Sequence, residues 1–284
     1  MKPKVIAIAG PTASGKTQMA IDLAQKINGE IISADSRLVY KGFDVASAKP
    51  TLEERQGVVH HLIDIVEPEF DYSVANYSDD ARFVIYDVIN RGKIPIVAGG
   101  TGLYFRVLLE NYDLPRVKEN PDLRAELDAK DKEVLLKELQ VLDSIGYERL
   151  KDSNKRRIVR ALEVTKLLGK PYSEVAVEKE PEFDVEWKMP VIKSREVLYD
   201  RINRRVDLMV EQGLIEETQQ LLKKHGRIKN FVDTIGYKEV LSYLDGYESL
   251  DEALEKLKQH TRNYAKRQLT WFRKNPSLEQ YCRI

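Results

Sequence analysis

The feature that most constrains the fold of this chain is a glycine-rich segment near its start, Gly10-Pro11-Thr12-Ala13-Ser14-Gly15-Lys16-Thr17. It has the pattern G-x-x-x-x-G-K-[ST], follows the apolar run 5–9 and precedes a helix that we predict from Lys16 to about Asn28. A strand, such a loop and a helix in this order form a phosphate-binding P-loop. Because loop N–H groups and the positive end of the helix face the same anion, the segment predicts binding of a phosphate or a diphosphate.

Two further strand ends are predicted at the same edge of an α/β sheet. The apolar run 30–34 ends at Asp35, and the run 94–98 ends at Gly99-Gly100-Thr101-Gly102. Ligands of such folds bind beyond the carboxyl ends of parallel strands, so Asp35 is a catalytic candidate and the glycines could admit a ligand. The alternatives are an aspartate that caps a turn and an ordinary strand–helix connection.

Charge and cysteine content exclude several classes of protein. Lys+Arg and Asp+Glu are both 46, so the net charge does not point to a polyanionic partner. The single cysteine, Cys282, excludes an internal disulfide and a cysteine zinc site, and we expect it to be a small buried residue. No apolar run approaches about 18 residues and no signal peptide is recognised, which predicts a soluble cytoplasmic protein without a membrane span.

The middle of the chain is strongly charged and has helical patterns. Helices are predicted to begin at Asn120, to span 132–142 and to span 154–168. We therefore predict a P-loop NTPase-like core, with a parallel sheet flanked by helices, from 1–112 and 187–284, and a helical insertion domain from 113–186.

Regular elements are also predicted after the insertion. Residues 189–192 are expected to form a returning strand, and residues 196–212 a helix in which Arg201 and Arg205 lie one turn apart. Such an arginine pair near a P-loop can clamp phosphate oxygens.

The last long helix is predicted from about Asp251 to Lys274. Between 256 and 274 it has seven basic residues and no acidic one, and Lys258, Arg262 and Lys266 form an i,i+4 row. A nucleic-acid backbone along this row would offset the repulsion among these charges. A basic surface without a partner is the alternative.

His60 and His61 are adjacent in a short segment. In a strand, neighbouring side chains point to opposite faces, which argues against a shared metal ion. We expect structural hydrogen bonds instead.

Seven segments together identify a family. They are GPTASGKT (10–17), ISADSRLVYKGFD (32–44), HHLIDI (60–65), VAGGTGLYFRVLL (97–109), RRIVRALEV (156–164), TIGYKE (234–239) and YAKRQLTWFRKN (264–275). In this order and over nearly the whole chain, they resemble the bacterial tRNA dimethylallyltransferases, also called tRNA isopentenyltransferases. The resemblance implies transfer of a dimethylallyl group from dimethylallyl diphosphate to N6 of adenine 37, next to the tRNA anticodon.

The resemblance also implies roles for individual residues. Asp35 would be the general base, with Thr101 and Lys16 as further catalytic residues and Mg2+ as the cofactor, placed by Thr17. The diphosphate would be bound by Gly10, Pro11, Thr12, Ala13, Ser14, Gly15, Lys16, Thr17 and Arg201. The tRNA anticodon stem-loop would contact Asp35, Ser36, Arg37, Leu38, Thr101, Arg124, Arg156, Arg157, Ile158, Val159, Arg160, Asp233, Thr234, Ile235, Gly236, Tyr237, Lys238, Arg262 and Lys266. We expect a monomer.

One departure from the family pattern concerns tRNA recognition. The family has glutamine where this chain has Leu38, which cannot hydrogen-bond a base edge. Our hypothesis is an altered tRNA preference, and equal transfer rates on anticodon stem-loops with and without adenines beside the target would refute it.

Two other functions use the same features. A small-molecule kinase would also need the P-loop and a nearby aspartate, and it would turn over ATP. A nucleic-acid-binding module with a degenerate nucleotide pocket would bind tRNA without chemistry.

Overall fold

The computed structural model describes residues 2–283. The chain forms two compact units, one made of residues up to Phe105 together with those from Glu182 onward, and the other of Arg106–Pro181. The strands are β1 (Lys4–Ala9), β2 (Gly29–Ala34), β3 (His60–His61), β4 (Ile94–Gly99), β5 (Tyr112–Asp113), β6 (Val177–Glu178) and β7 (Asp184–Lys188). The helices are α1 (Lys16–Ile27), α2 (Val74–Asn90), α3 (Gly102–Leu109), α4 (Pro121–Asp128), α5 (Lys132–Leu142), α6 (Ser144–Leu150), α7 (Lys155–Leu168), α8 (Tyr172–Val175), α9 (Arg195–Glu211), α10 (Leu214–His225), α11 (Lys229–Val232), α12 (Tyr237–Leu244) and α13 (Leu250–Phe272).

A five-stranded sheet of order β3-β2-β4-β1-β7 forms the centre of the first unit. All its pairings are parallel, which confirms the predicted parallel α/β architecture. Because parallel strands buried on both faces read as continuous apolar runs, β1, β2 and β4 were recognisable from the sequence. Their carboxyl ends carry the P-loop, Asp35 and the Gly99–Thr101 turn at one edge.

Helix α1 is held on the sheet by one apolar face. Its Ala20, Ile21 and Ala24 pack with Ile31 of β2 and Ile96 of β4 in one buried cluster. Burial of each larger aliphatic side chain stabilises the unit by roughly 1.5–3 kcal/mol. This packing fixes the start of α1, and with it Lys16, over the end of β1.

The predicted strand at 189–192 is wrong. The strand is β7, and its residues Asp184–Lys188 pair in parallel with Lys4–Ile8 of β1. As an edge strand, β7 alternates polar and apolar residues and lacks the apolar run that marked the others. Pro190, which has no N–H group, lies in the irregular segment that follows.

The second unit consists largely of helices, as predicted for the insertion. Asn120 and Asn154 cap α4 and α7 by accepting hydrogen bonds from Leu123 N and Arg157 N. Leu127, Leu135, Leu139, Ile158 and Leu162 belong to its buried core. This unit comprises residues 106–181, whereas residues 113–186 were predicted. Residues 184–186 belong to strand β7 of the central sheet, and the unit begins earlier than predicted, at Arg106 within helix α3.

Candidate active site

The P-loop has the backbone conformation that an anion cradle needs. Gly15 and Ala13 have φ angles of +90° and +59°, which turn the chain between β1 and α1. The ammonium group of Lys16 donates to the Pro11 carbonyl at 3.2 Å. Burial, and secondarily the nearby Arg205, lower the pKa of Lys16 to about 8, while Asp35 acts in the opposite direction. Lys16 is therefore a half-buried cation beside a preformed loop.

Arg205, rather than Arg201, is the arginine at the P-loop. Its Nη1 donates to Thr12 Oγ1 at 3.0 Å, and its side chain lines the adjoining cavity. Arg201 lies one helical turn earlier on α9, is exposed, and is not among the residues that line this cavity. The prediction of a phosphate-binding arginine on this helix selected the wrong member of the pair, because i,i+4 spacing fixes a face of the helix but not the turn that reaches the loop.

One cavity of about 390 Å³ brings together Lys16 and Asp35, two of the three predicted catalytic residues. Lys16 and Thr17 line it from the P-loop, and the segment 35–38 lines it from the end of β2. One carboxylate oxygen of Asp35 accepts from Arg37 N at 2.8 Å, which fixes the side chain at the start of the turn. The cavity thus combines an anion-binding loop with a half-buried carboxylate.

Thr101 has a positioning role in this structure. Its hydroxyl accepts from Ser36 N at 3.1 Å and forms a hydrogen bond with Tyr264 of α13. Burial raises the pKa of Tyr264 to about 12, so this phenol stays protonated. Tyr264 lines the cavity, whereas Thr101 is not among its lining residues.

Two of the glycines that follow β4 lie directly against protein side chains, while Gly99 at the end of β4 lines the cavity. A Cβ atom at Gly100 would overlap the side-chain amide of Gln268, and one at Gly102 would overlap the indole of Trp271. These glycines therefore let helix α13 approach the sheet edge closely.

Gln268 is a residue that the sequence analysis did not select. Only 5% of it is exposed, its Oε1 accepts from Thr12 N at 2.9 Å, and its Nε2 donates to Gly100 O at 2.9 Å. It thereby joins the P-loop to the turn after β4. Its signal in the sequence was its place inside the segment 264–275, which matched the family.

The segment 233–238 divides into two groups. Asp233, Thr234 and Ile235 line the cavity. Tyr237, by contrast, is fully buried against Phe43, and its hydroxyl donates to Glu217 at 2.6 Å. Its predicted contact with tRNA is not available to the side chain. Gly236 is buried at φ +105° and packs against Ala46, while Lys238 is exposed.

Two of the three residues in the basic row on α13 interact with helix α9. Lys258 pairs with Asp207 of α9 at 2.9 Å, and Arg262 donates to Asn203 of α9 at 2.6 Å. Lys266 is exposed, and the next residue, Arg267, lines the cavity although it was not predicted as a site residue. The free positive charge of this helix therefore lies toward its C-terminal half.

The predicted tRNA-binding arginines of the insertion differ in their surroundings. Arg124 and Arg160 donate to the same buried carboxylate, Glu163, at 2.7 and 2.6 Å. Arg156 and Arg157 are exposed. The predicted contacts of Ile158 and Val159 are excluded for their side chains, which lie in the core of this unit.

The donor set fits a magnesium ion bound mainly by substrate. Mg2+ commonly takes one or two protein oxygens and completes its shell with water and phosphate. Thr17 lines the cavity at the P-loop, where a diphosphate would supply those oxygens. Within residues 2–283, no group of three His, Cys, Asp or Glu side chains is placed to hold a metal without such help.

The two histidines form the structural hydrogen bonds expected of them. His60 Nδ1 lies 2.9 Å from Val58 O, and His61 Nε2 lies 2.7 Å from Glu30 Oε2. Cys282 is buried, also as predicted.

Comparison with known proteins assigns the chain to a family. The family model described as IPP transferase matches residues 38–275, and that of isopentenyl transferase matches residues 3–68. The chain belongs to the IPP transferase family. The assignment bears out the resemblance seen in the P-loop, the Asp35 turn and the C-terminal helix.

Relatives and solved structures agree with this assignment. The tRNA dimethylallyltransferase of Thermomicrobium roseum is 43% identical over 98% of this chain and 85% of that protein. That of Pelotomaculum thermopropionicum is 46% identical over 96% and 88%. The tRNA isopentenylpyrophosphate transferase of Bacillus halodurans has a TM-score of 0.72 at 42% identity, covering 97% of this chain and 88% of its own. A eukaryotic dimethylallyltransferase acting on tRNA has a TM-score of 0.81 at 32% identity, covering 98% and 72%.

Proposed function

We propose that this protein transfers the dimethylallyl group of dimethylallyl diphosphate to N6 of adenine 37 in tRNA. The observation that carries the proposal is the single cavity lined by the cations Lys16 and Arg205 and by the carboxylate of Asp35. Such a cavity can hold a diphosphate leaving group and a proton acceptor on the two sides of one reacting carbon. The names of the relatives supply tRNA and the dimethylallyl group, and the family resemblance supplies N6 of adenine 37.

Asp35 is the residue that we assign to proton removal. The exocyclic amine of adenine is a weak nucleophile because its lone pair is delocalised into the ring, so a base close to N6 assists attack. The N6–C1 bond forms, the bond between C1 and the diphosphate oxygen breaks, and the N6 proton goes to Asp35. The backbone N–H of Arg37 holds this carboxylate in place during the transfer.

The P-loop stabilises the departing diphosphate. Lys16 and Arg205 are cations at the loop, and charge on a leaving group that develops beside fixed donors is stabilised in the transition state. We assign Thr17 as the protein ligand of Mg2+, which would neutralise further charge on the diphosphate. No step of this scheme requires ATP hydrolysis.

The tRNA must present its adenine to a half-buried group. A base that is stacked in the anticodon loop cannot reach Asp35, so we propose that it leaves the stack and enters the cavity. Arg37 and Arg267 line the cavity and can contact the phosphates that flank the base.

The scheme uses no residue from a second copy of the chain, and we propose that the protein acts as a monomer. No helix within residues 2–283 has the length and apolarity that crossing a bilayer requires. With tRNA as substrate, we place the reaction in the cytoplasm.

The direct test uses labelled dimethylallyl diphosphate, Mg2+ and unmodified tRNA. We expect label in the tRNA, and we expect Asp35→Asn to lower kcat by about 10²- to 10⁴-fold, the usual contribution of a general base. Binding of tRNA, measured by filter retention, should change little. Asp22→Asn, an exposed change on α1, is the matched control.

Two outcomes would contradict the proposal. One is Asp35→Asn with a kcat like that of the wild type. The other is ATP-dependent phosphorylation of a small acceptor without labelled tRNA, which would support the kinase function instead.

A further inference from the structure

The proposed target base carries two polar atoms side by side on its Watson–Crick edge. The N6 amine of adenine donates hydrogen bonds, and its ring nitrogen N1 accepts one. In the proposed reaction Asp35 is the acceptor for N6. A base that has left the stack to enter the cavity also needs a donor for N1, because a buried acceptor without a partner is costly. We therefore expect a hydrogen-bond donor beside Asp35.

Most polar groups that line the cavity away from the P-loop already have a partner within the protein. The hydroxyls of Ser47, Thr234 and Thr261 each donate to the main-chain carbonyl four residues earlier, at 2.5 to 2.8 Å. The side-chain amide of Gln268 is bonded to the P-loop and to the turn after β4. Ser33 is only 3% exposed. None of these five side chains is placed to donate to a base.

Tyr264 lies on α13, lines the cavity and is held near Asp35 by two hydrogen bonds in series. Thr101 Oγ1 accepts from Ser36 N at 3.1 Å, which ties it to the residue after Asp35. Thr101 is in turn hydrogen-bonded to the Tyr264 hydroxyl. The guanidinium carbon of Arg267 lies 5.7 Å from the centroid of the Tyr264 ring. Both ends of this half-buried side chain are thus restrained.

The hydrogen bond between Thr101 and Tyr264 leaves the phenol proton unused. Burial, and next Asp35, raise the pKa of Tyr264 to about 12, whereas the bond with Thr101 acts in the opposite direction. A hydrogen bond that lowers the pKa of a phenol is one that its oxygen accepts, because such a bond stabilises the phenolate. Thr101 is therefore the donor. No hydrogen bond joins Tyr264 to Asp35, two residues that the structure describes, so the phenol O–H is available to a ligand.

We propose that Tyr264 donates a hydrogen bond to N1 of the target adenine while Asp35 accepts from N6, so that the two side chains together recognise the Watson–Crick edge. This inference rests on the proposed function. Guanine has an acceptor, O6, and a donor, N1–H, at the same two positions, and it would leave both side chains unpaired. Tyr264 is thereby a specificity-determining residue, since a site whose buried polar groups are left unpaired rejects the wrong substrate.

Other donors close to Asp35 belong to the two residues that follow it. Ser36 and Arg37 both line the cavity, and the proposed function places the guanidinium of Arg37 with the tRNA phosphates. The hydroxyl of Ser36 is less acidic than a phenol and is therefore the weaker donor. Ser36→Ala tests this alternative.

The test is a cycle that removes one atom of the substrate and one atom of the protein. Anticodon stem-loops with adenosine or 1-deazaadenosine at position 37 are compared by kcat/KM, with Mg2+ and saturating dimethylallyl diphosphate. The 1-deaza base has C–H in place of N1, which removes the acceptor and makes the amine more electron-rich, so a slower reaction reports the lost contact. We expect the wild-type protein to prefer adenosine by about tenfold or more, and Tyr264→Phe to abolish most of this preference.

The matched control is Tyr243→Phe, which removes the hydroxyl of another half-buried tyrosine, on α12 and outside the cavity lining. Its kcat/KM values and its preference should equal those of the wild type. Ser36→Ala should also keep the preference for adenosine. Circular dichroism of each variant checks that it is folded, and the wild-type comparison alone decides if Tyr264→Phe is not.

Three results would overturn the inference. They are equal use of both stem-loops by the wild type, a wild-type preference in Tyr264→Phe, and loss of the preference in Ser36→Ala alone. A Tyr264→Phe protein that is slower on both stem-loops by the same factor belongs to the second result, and it would place the phenol at the diphosphate or in the fold. Absence of transfer to the adenosine stem-loop by the wild type would instead overturn the proposed function, and this inference with it.

Discussion

Helices α7 and α9 each have two arginines at i,i+4 spacing, but an arginine of α7 and an arginine of α9 have different kinds of hydrogen-bond partner. On α7 of the insertion unit, Arg160 donates to the buried carboxylate of Glu163 at 2.6 Å. On α9 of the sheet unit, Arg205 donates to the neutral hydroxyl of Thr12 at 3.0 Å. Among residues 2–283, Arg205 has no carboxylate within ion-pair distance.

The difference separates a structural charge from a binding charge. A buried charge with a partner within the protein stabilises the fold around it, and removing the partner is costly. A half-buried cation without an ion-pair partner is destabilising until an anion binds, so its retention points to an anionic ligand. By this criterion we expect Lys16 and Arg205 to bind substrate, and Arg124 and Arg160 to stabilise the insertion unit.

The largest effect should come from Arg205→Ala. We expect kcat/KM for dimethylallyl diphosphate to fall by roughly 100- to 1,000-fold, the usual result of removing a donor from a developing negative charge. Steady-state transfer to tRNA at varied donor concentration measures the change.

The same substitution one turn earlier provides the control. Because Arg201 is exposed and outside the cavity lining, Arg201→Ala should stay within about threefold of the wild type. An equal loss in both variants would show that the helix face as a whole, and not Arg205 in particular, interacts with substrate.

The contrast also explains what could be predicted from the sequence. The P-loop, the position of Asp35 after β2 and the helices from Asn120 and Asn154 depend on local patterns, and each was confirmed. The choice between Arg201 and Arg205 depends on where α9 lies against the P-loop, and the role of Gln268 depends on the approach of α13. Strand β7 was missed because pairing with β1, and not its own apolar content, makes it a strand. Tertiary packing settles these features, and spacing along the chain does not encode them.

Glu163→Gln tests whether the ion pairs of the insertion unit stabilise its fold. This carboxylate is fully buried and accepts from Arg124, Arg160 and Asn120 N. Its neutralisation removes the carboxylate partner of Arg160, whereas Arg124 keeps its pair with Glu119. We expect the free energy of unfolding of the insertion unit to fall by about 2–4 kcal/mol. Urea titration followed by circular dichroism measures it, with the exposed Glu133→Gln as the matched control at under about 0.5 kcal/mol. A Glu163→Gln protein as stable as this control would mean that these pairs do not stabilise the unit.

The smallest effect should be the pH dependence that Lys16 gives to kcat/KM for the donor. With its pKa lowered to about 8, mainly by burial and next by Arg205, Lys16 is protonated below that pH and becomes neutral above it. Only the protonated form attracts the diphosphate, so kcat/KM for the donor should decline by about tenfold for each pH unit above 8. Donor saturation should reduce this decline, because bound diphosphate favours the charged form of Lys16 and raises its pKa. Lys16→Arg keeps its charge throughout and should lose the break near pH 8, even if its overall rate is lower. A wild-type profile that stays flat to about pH 9.5 would show that the charge of Lys16 does not change in this range or does not act on the donor. Either result would contradict its assignment as a substrate-binding charge.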